Sequence, residues 1–369
     1  MFIYDTIHGY MEFKNEQKYI DNQWMKRLKR IKQLGLLEHV FPSASHNRFE
    51  HSLGVSHLSE KYINQLSNKS KSFKPNNTEK LCVKLAGLFH DLGHGPFSHI
   101  FDDIVSKGNT HEKRSKNIVE YIFKDIGTSK NFSSAYIIDE IKKMIESDET
   151  INNPLYNIVN NKISKIDVDK FDYLLRDPKH IGISGNFDYN RIFIKSFILR
   201  NEIIYDYSIF NNILDLYMTR YNYHKTLYNH KTVKIIEIML KDAFHEADEI
   251  YNFNDWCSNE TFLSLDDSIY SNILNSDNKD LNKAKKILKR IENRDLYKII
   301  WSGQNSDMPD NLDMHKRINL KFNLCNGSRF PLENVKFSKN NIIQTGDKFN
   351  LNILYPSIYE DNTVMIYSV

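Results

Sequence analysis

Ten consecutive residues, His90-Asp91-Leu92-Gly93-His94-Gly95-Pro96-Phe97-Ser98-His99, constrain this chain more than any other stretch. They follow an apolar run, Lys80 to Phe89, in which Leu81, Leu85, Leu88 and Phe89 recur at helical spacing. Asn77 and Thr78 are candidate caps ahead of that helix, and Gly93, Gly95 and Pro96 end it. His90 and Asp91 therefore stand at the end of a core helix, where adjacent polar groups are costly unless something satisfies them. A divalent cation does so well, because neutral imidazole and carboxylate are both good ligands for it. A lone His-Asp pair would read more simply as a capped helix end; the other motifs of the chain argue otherwise.

Hydrophobic residues make up 40% of the 369 and charged residues 26%, the balance of a soluble globular protein. A net charge of +3 is too small to demand nucleic acid as a partner, but it suits a small polyanion in a local basic pocket. Cys82, Cys257 and Cys325 show no paired spacing, and the N-terminus lacks the pattern of a signal peptide. These features predict an intracellular protein, cytoplasmic or nuclear, with no membrane partner.

Along the chain the pattern predicts a mainly α protein with a small β-rich C-terminal lobe. Residues 1–20 read as an extended lead with a turn at Gly9, and residues 22–37 as a basic amphipathic helix. Further helices are expected from about Asn47 to Leu66 and from His111. A helical region, broken at residues 152–154, is expected over Ala135–Val159, and another helix over Ile166–Asp177, ended by Pro178. Long helices should fill Asn211–Tyr251, which lacks Gly and Pro, and one more should cover Lys283–Ile300. Alternating runs at 318–322, 335–337, 349–353 and 364–366 read as strands. The expected division is a helical core over 1–316 and a shortened lobe over 317–369.

Three further patterns join the His-Asp pair. His51 falls among the apolar positions of its helix with Arg48 one turn earlier. Lys170, Tyr173 and Asp177 form one stripe beside Asp169, and Arg220, His224 and Tyr228 recur every fourth residue. Together with Ile7-His8-Gly9, the runs Arg48-Phe49-Glu50-His51-Ser52-Leu53-Gly54, His90 to His99 and Asp167-Val168-Asp169-Lys170-Phe171-Asp172-Tyr173 resemble the HD-domain deoxynucleoside triphosphate triphosphohydrolases. The likeness is greatest to the branch whose animal members carry an N-terminal sterile-alpha-motif domain, which has no counterpart in these 369 residues. It covers roughly residues 2–300, with the motifs in matching order.

The resemblance implies a divalent metal (Fe, Mn, Zn or Mg) held by His51, His90, Asp91 and Asp169. It implies hydrolysis of dNTPs to deoxynucleoside and intact triphosphate, by attack of metal-bound water at the α-phosphate. His94, His99, Asp102 and His111 match catalytic positions, with His99, oriented by Asp102, as the acid for the departing 5′-oxygen. Arg48, Lys170 and His111 would face phosphate oxygens; Gln33 and Asp177 would take the 3′-hydroxyl. Tyr173, Tyr228 and Leu34 would enclose the sugar and exclude a 2′-hydroxyl, and Arg220 and His224 would lie near polyphosphate and base.

Family members are also activated by nucleotides bound between subunits. Asp21, Arg191 and Arg294 match such regulatory positions, whereas Met1, Tyr4, Lys26, Lys29, Asp206 and Ser208 depart from the family's choices. Lysine cannot reproduce the bidentate contacts of a guanidinium. The expectation is a homo-oligomer, dimer or tetramer, that works without a nucleotide activator or with a different one. Two other readings stay open: an HD phosphohydrolase acting on another nucleotide, and an idle homologue that binds nucleotides or single-stranded nucleic acid.

Overall fold

The computed structural model describes residues 1–369 apart from 106–107, 128–131, 148–152, 184, 257–259, 310–315 and 350–358. The chain opens with an antiparallel hairpin, β1 (Phe2–Asp5) and β2 (Gly9–Glu12), then two short helices, α1 (Gln17–Ile20) and α2 (Gln23–Arg27). The long helix α3 (Arg48–Lys69) starts where Asn47 accepts a hydrogen bond from the Glu50 backbone. A full capping box, Asn76 with Glu79, starts α4 (Asn77–Phe89), one residue before the expected caps. Helices α3 and α4 pack directly on each other. Around them lie α5 (His99–Asp102), α6 (His111–Asp125), α7 (Phe132–Ile145), α8 (Tyr156–Val159), α9 (Val168–Ile181) and α10 (Tyr189–Ile194).

The second half begins with the hairpin β3 (Ser196–Leu199) and β4 (Glu202–Asp206). Helices α11 (Phe210–Tyr223) and α12 (Lys231–Tyr251) follow, joined by a π-helical turn over His224–Tyr228. Next come α13 (Phe253–Trp256), α14 (Ile269–Asn275) and α15 (Asn282–Glu292). The last strands are β5 (Lys298–Gln304), β6 (Lys316–Asn323), β7 (Lys336–Lys339), β8 (Ile342–Thr345) and β9 (Glu360–Ser368). They form an antiparallel β5-β9-β6 sheet, and β7 and β8 extend the earlier hairpin through a parallel β4–β7 pairing. The protein is thus mainly α with small sheets toward its C-terminal end. Among the described residues, no helix is long and apolar enough to cross a membrane.

Four expectations need correction. The helix expected over 22–37 ends at Arg27, continues as one 3-10 turn to Arg30, and becomes extended at Ile31. Leu28, Ile31, Leu36 and Leu37 are all buried, so the apolar spacing is met by turns instead of helix. Pro178 does not stop α9, which runs one more turn to Ile181 and closes on Gly182 in the left-handed region. The helix expected to reach Ile300 stops at Glu292, since Arg294 takes a φ of 57° and residues from Lys298 pair with β9. The β3–β4 hairpin was not anticipated. Cys257 and most of the strand expected over 349–353 lie outside the described residues.

Close approach of α3 and α4 rests on Gly87, where a Cβ would come within 2.4 Å of Ser59 Oγ and 3.1 Å of the Val55 carbonyl oxygen. Gly87→Val should therefore lower unfolding free energy by about 2–3 kcal/mol through overpacking. Urea denaturation checks this, and Ser59→Ala in the same chain should recover part of the loss.

Candidate active site

The loop that carries the His-Asp motif is held from behind by two buried arginines. Arg27 donates to the carbonyl oxygens of Leu92 (3.3 Å) and His94 (2.8 Å), and Arg114 donates from Nε to Gly93 O (2.7 Å). From another side Asp267 accepts the Phe97 and Lys32 backbone N–H groups at 2.7 and 2.9 Å, which ties this loop to the one bearing Gln33 and Leu34. Gly35, at a φ of +53°, passes so close to the Phe97 carbonyl that a Cβ would lie 3.1 Å from it. None of these restraints is apparent from the motif itself.

At the end of α4, His90 turns its Nε2 toward His51 of α3 and Asp169 of α9. The two Nε2 atoms are 3.2 Å apart, and Asp169 Oδ1 lies 3.1 Å from His51 Nε2 and 3.5 Å from His90 Nε2. On their far sides both rings are held, His51 Nδ1 donating to Asp172 (2.8 Å) and His90 Nδ1 to the Gly87 carbonyl (2.8 Å). That assigns each Nε2 a lone pair directed at the other, a repulsive arrangement unless a cation or a proton lies between them. Burial disfavours a charged His51, but hydrogen bonds to Asp169 and Asp172 overcome it and push the ring up to about 10. A divalent cation displaces such a proton and satisfies all three donor atoms. His51, His90 and Asp169 therefore fit a divalent metal, with second contacts that orient both imidazoles.

Asp91 is adjacent, with Oδ1 3.3 Å from His90 Nε2 and Oδ2 3.7 Å from His51 Nε2. Burial raises its pKa, but the Arg48 guanidinium outweighs this and holds the carboxyl well below its usual range. Arg48 pairs with Asp91 and donates to Ser98 Oγ at 2.7 Å, so its charge is matched by Asp91 while its side chain lines the cavity.

A second group, His94, His99, Asp102 and His111, stands beside the first. His94 reaches Asp91 Oδ1 (3.3 Å) and stacks on His111, with ring centroids 4.0 Å apart. Here one expectation is corrected. Asp102 accepts a hydrogen bond from His111 Nδ1 at 2.7 Å and is also paired with Arg114, whereas the His99 ring is 4.0 Å away. Both carboxylate oxygens are thus engaged, and Asp102 orients His111, not His99. The His99 side chain is 74% exposed and faces the cavity.

That cavity, of about 570 Å³, unites most of the residues singled out from sequence. Gln33, Leu34, Lys170, Tyr173, Asp177, Arg220, His224 and Tyr228 all line it, as do both histidine groups; Asp102 lies behind His111. Asp177 is fixed by His46 Nε2 (2.8 Å) and the Tyr228 hydroxyl (2.7 Å). Lys170 pairs with Asp167 at 2.7 Å. Burial, with Arg220 nearby, pushes His224 down to about 3 and keeps it neutral. Gln33 Oε1, His94 Nδ1 and Arg220 Nε are buried with no hydrogen-bond partner among the described residues. Orphaned polar atoms along one cavity are what a polar ligand would satisfy.

The positions matched to a regulatory site lie elsewhere. Asp21 follows α1 and sits 3.8 Å from Lys26, Arg191 on α10 donates to the Ser208 carbonyl (3.1 Å), and Arg294 follows α15. None of the three lines the cavity. Sequence reasoning missed Asp172, Arg176, His46 and Arg114 as supports. Asp172 stands inside a quoted motif, and Gly54 was a usable signal, because a Cβ there would lie 1.9 Å from Asp172 Oδ1.

If the triad holds metal, Mn²⁺ should raise the melting temperature of the unaltered chain in proportion to the logarithm of its concentration. His90→Ala should abolish that rise and His99→Ala should preserve it, a comparison made by calorimetry.

Comparison with known proteins agrees with this geometry. Residues 48–177 match the HD domain and residues 187–322 the HD associated region. The chain is 39% identical over 310 residues to the deoxynucleoside triphosphate triphosphohydrolase SAMHD1 homolog of Dictyostelium discoideum, an alignment covering 81% of this chain and 59% of that protein. It is 36% identical over 347 residues to deoxynucleoside triphosphate triphosphohydrolase SAMHD1 of Homo sapiens, covering 82% and 55%. To the putative HD domain-containing protein L394 of Acanthamoeba polyphaga mimivirus it is 36% identical over 331 residues, covering 80% and 72%. The chain thus spans little more than half the length of the triphosphohydrolases it matches. With both regions in order, and this kinship over most of its length, the chain belongs to the HD-domain family.

Proposed function

We propose that this chain is a metal-dependent dNTP triphosphohydrolase, cleaving its substrate to deoxynucleoside and intact triphosphate. The observation that carries the reading is that one cavity holds the metal triad, the second histidine group and the Asp177–Tyr228 pair together. The relatives named as deoxynucleoside triphosphate triphosphohydrolases support the same substrate class.

A divalent cation on His51, His90 and Asp169, with Asp91 beside it, supplies positive charge for the phosphate and lowers the pKa of water. The chain's own groups do the rest. Water adds to the α-phosphorus, the bond to the 5′-oxygen breaks, and that oxygen takes a proton as it leaves. His99, open to the cavity, is the proposed donor, since an alkoxide leaves poorly without one. Desolvation inside the cavity and the Arg48 charge push its ring down to about 4, and the negative charge of a bound triphosphate would raise it to carry that proton. His111, held by Asp102 and stacked on His94, faces the phosphates together with Lys170 and Arg220. Gln33 and Asp177 take the 3′-hydroxyl, and Leu34, Tyr173 and Tyr228 close the sugar pocket against a 2′-hydroxyl. His224 lies toward the base. In this reading the helical core, 1–316, carries the chemistry and 317–369 buttresses it.

Activation by nucleotide at Asp21, Arg191 and Arg294 is proposed to be weak or altered, and the oligomer to be a dimer or tetramer. Lys26 is drawn toward Asp21, and Lys29 lies over the Phe49 ring at 4.5 Å, so neither offers the fork of a guanidinium.

Chromatography of each dNTP and NTP with Mn²⁺, with and without GTP, tests the reading. Deoxynucleoside and triphosphate should form without GTP and vanish in His90→Ala/Asp91→Ala. His99→Ala should lower kcat about 10²- to 10⁴-fold with KM little changed. Turnover of NTPs in preference to dNTPs would assign the site to another nucleotide, and strict dependence on GTP would overturn the reading of the regulatory residues.

A further inference from the structure

Asp172 is wholly buried and accepts four hydrogen bonds: from His51 Nδ1 (2.8 Å), His8 Nε2 (2.7 Å), and Arg176 Nε (2.8 Å) and Nη2 (3.0 Å). Arg176, itself buried, extends Nη1 to Asp5 Oδ2 at 2.8 Å. The other Asp5 oxygen accepts the backbone N–H groups of Ile7 and His8, both at 2.9 Å, and so shapes the turn between β1 and β2. A continuous set of charge-assisted contacts therefore runs from the N-terminal hairpin to a proposed metal ligand. Phe2, Tyr4 and Tyr10 of the hairpin are each about two-thirds or more exposed. Within the hairpin Asp5 and the His8 side chain are buried, as is Met11, with Ile3 packed partly against the core. Met11 and Ile3, with Phe13 just beyond β2, anchor the hairpin to the core, but that packing does not require Asp5 and His8 to converge on the Asp172–Arg176 pair.

We infer that His8 and Asp5 are positioning residues for the metal centre: through Asp172 they fix the ring of His51 and raise its affinity for a divalent cation. Arg176, on the same helix as Asp172, grips both oxygens of that carboxylate, Nε on Oδ2 and Nη2 on Oδ1. His8 occupies Oδ1 from the opposite side, and Asp5 stops Arg176 from swinging away. With His8 removed, Oδ1 is left with the longer Arg176 contact at 3.0 Å, so the carboxylate can shift toward Arg176 and its hold on His51 Nδ1, which directs Nε2 at the site, loosens. Partners of metal-bound imidazoles typically change metal affinity by 10- to 100-fold. The inference rests on the metal reading of the cluster and is independent of which nucleotide is cleaved.

The test is Mn²⁺ binding to the full chain by chelator competition, with no nucleotide present, alongside the melting temperature of each metal-free variant. His8→Ala should weaken Mn²⁺ binding at least tenfold, Asp172→Asn and Asp5→Asn should weaken it too, and His8→Gln, whose amide can still donate to Asp172, should recover most of the loss. If Asp172→Asn does not fold, the two His8 variants decide. Unchanged affinity in a folded His8→Ala protein with a lowered melting temperature would reduce the contact to hairpin docking and overturn the inference. So would a His8→Gln protein as weak as His8→Ala. No Mn²⁺ binding by the unaltered chain would remove the metal reading itself, while leaving nucleotide turnover to be judged by its own assay.

Discussion

Three carboxylates and two imidazoles share a space from which bulk water is largely excluded, and the architecture around them answers that electrostatic problem. An unpaired buried charge costs several kcal/mol, so Asp91, Asp169 and Asp172 cannot share this site without compensation. Arg48 neutralises Asp91, Arg176 neutralises Asp172, and among the described residues Asp169 is paired with the two histidines. A protonated His51 therefore answers Asp169, a role that the proposed divalent cation would take over. Helices α3, α4 and α9 each supply part of this arrangement, which explains why they pack as closely as they do. Gly54 and Gly87 permit that approach, the first by yielding its Cβ space to the Asp172–Arg176 pair.

Precision of the catalytic loop comes from a different source. Residues 92–99 contain two positive-φ residues, Phe97 and Ser98, and little regular structure, so the loop has no internal ladder to hold it. Arg27 and Arg114 take its carbonyls, and Asp267 takes the Phe97 N–H. Arginine suits this because its fixed fork satisfies several carbonyls at once and keeps its charge when buried. A loop pinned from outside can present His94 and His99 to the cavity, and Gly93 and Gly95 let it lie against His111 and Phe101, where a Cβ would come within 2.1 Å of each.

The mainly α class, the placement of α3, α4, α6 and α9, and the set of residues around the cavity were legible in the sequence, because short motifs concentrate polar groups where periodicity demands core. Contacts between distant segments were not legible. Nothing in the spacing joins His8 to Asp172, 164 residues away, or His46 to Asp177, 131 away. The resemblance paired Asp102 with His99, but α5, which carries both, is a single turn. His111, at the start of α6, stacks against the loop and takes the carboxylate first. Likewise 28–37 satisfied a helical period through a 3-10 turn and a bend, which bury the same side chains but project Gln33 and Leu34 into the cavity.

The stripe Arg220, His224, Tyr228 shows how far periodicity can be trusted at a site. In an α-helix each fourth residue advances about 40° around the axis, so three such residues spread over about 80°. The π-helical turn at His224–Tyr228 rotates less per residue and reverses part of that drift. Tyr228 is thereby returned to the face of Arg220, where its hydroxyl reaches Asp177 on α9 at 2.7 Å. A regular helix through the same sequence would carry that hydroxyl away from Asp177, leaving a buried carboxylate with His46 alone. The wider turn sacrifices regular hydrogen bonding between two long helices and gains the contact that closes the far wall of the cavity. Its position is set by what Asp177 requires, which is why helix propensity in this stretch, free of Gly and Pro, gives no sign of it.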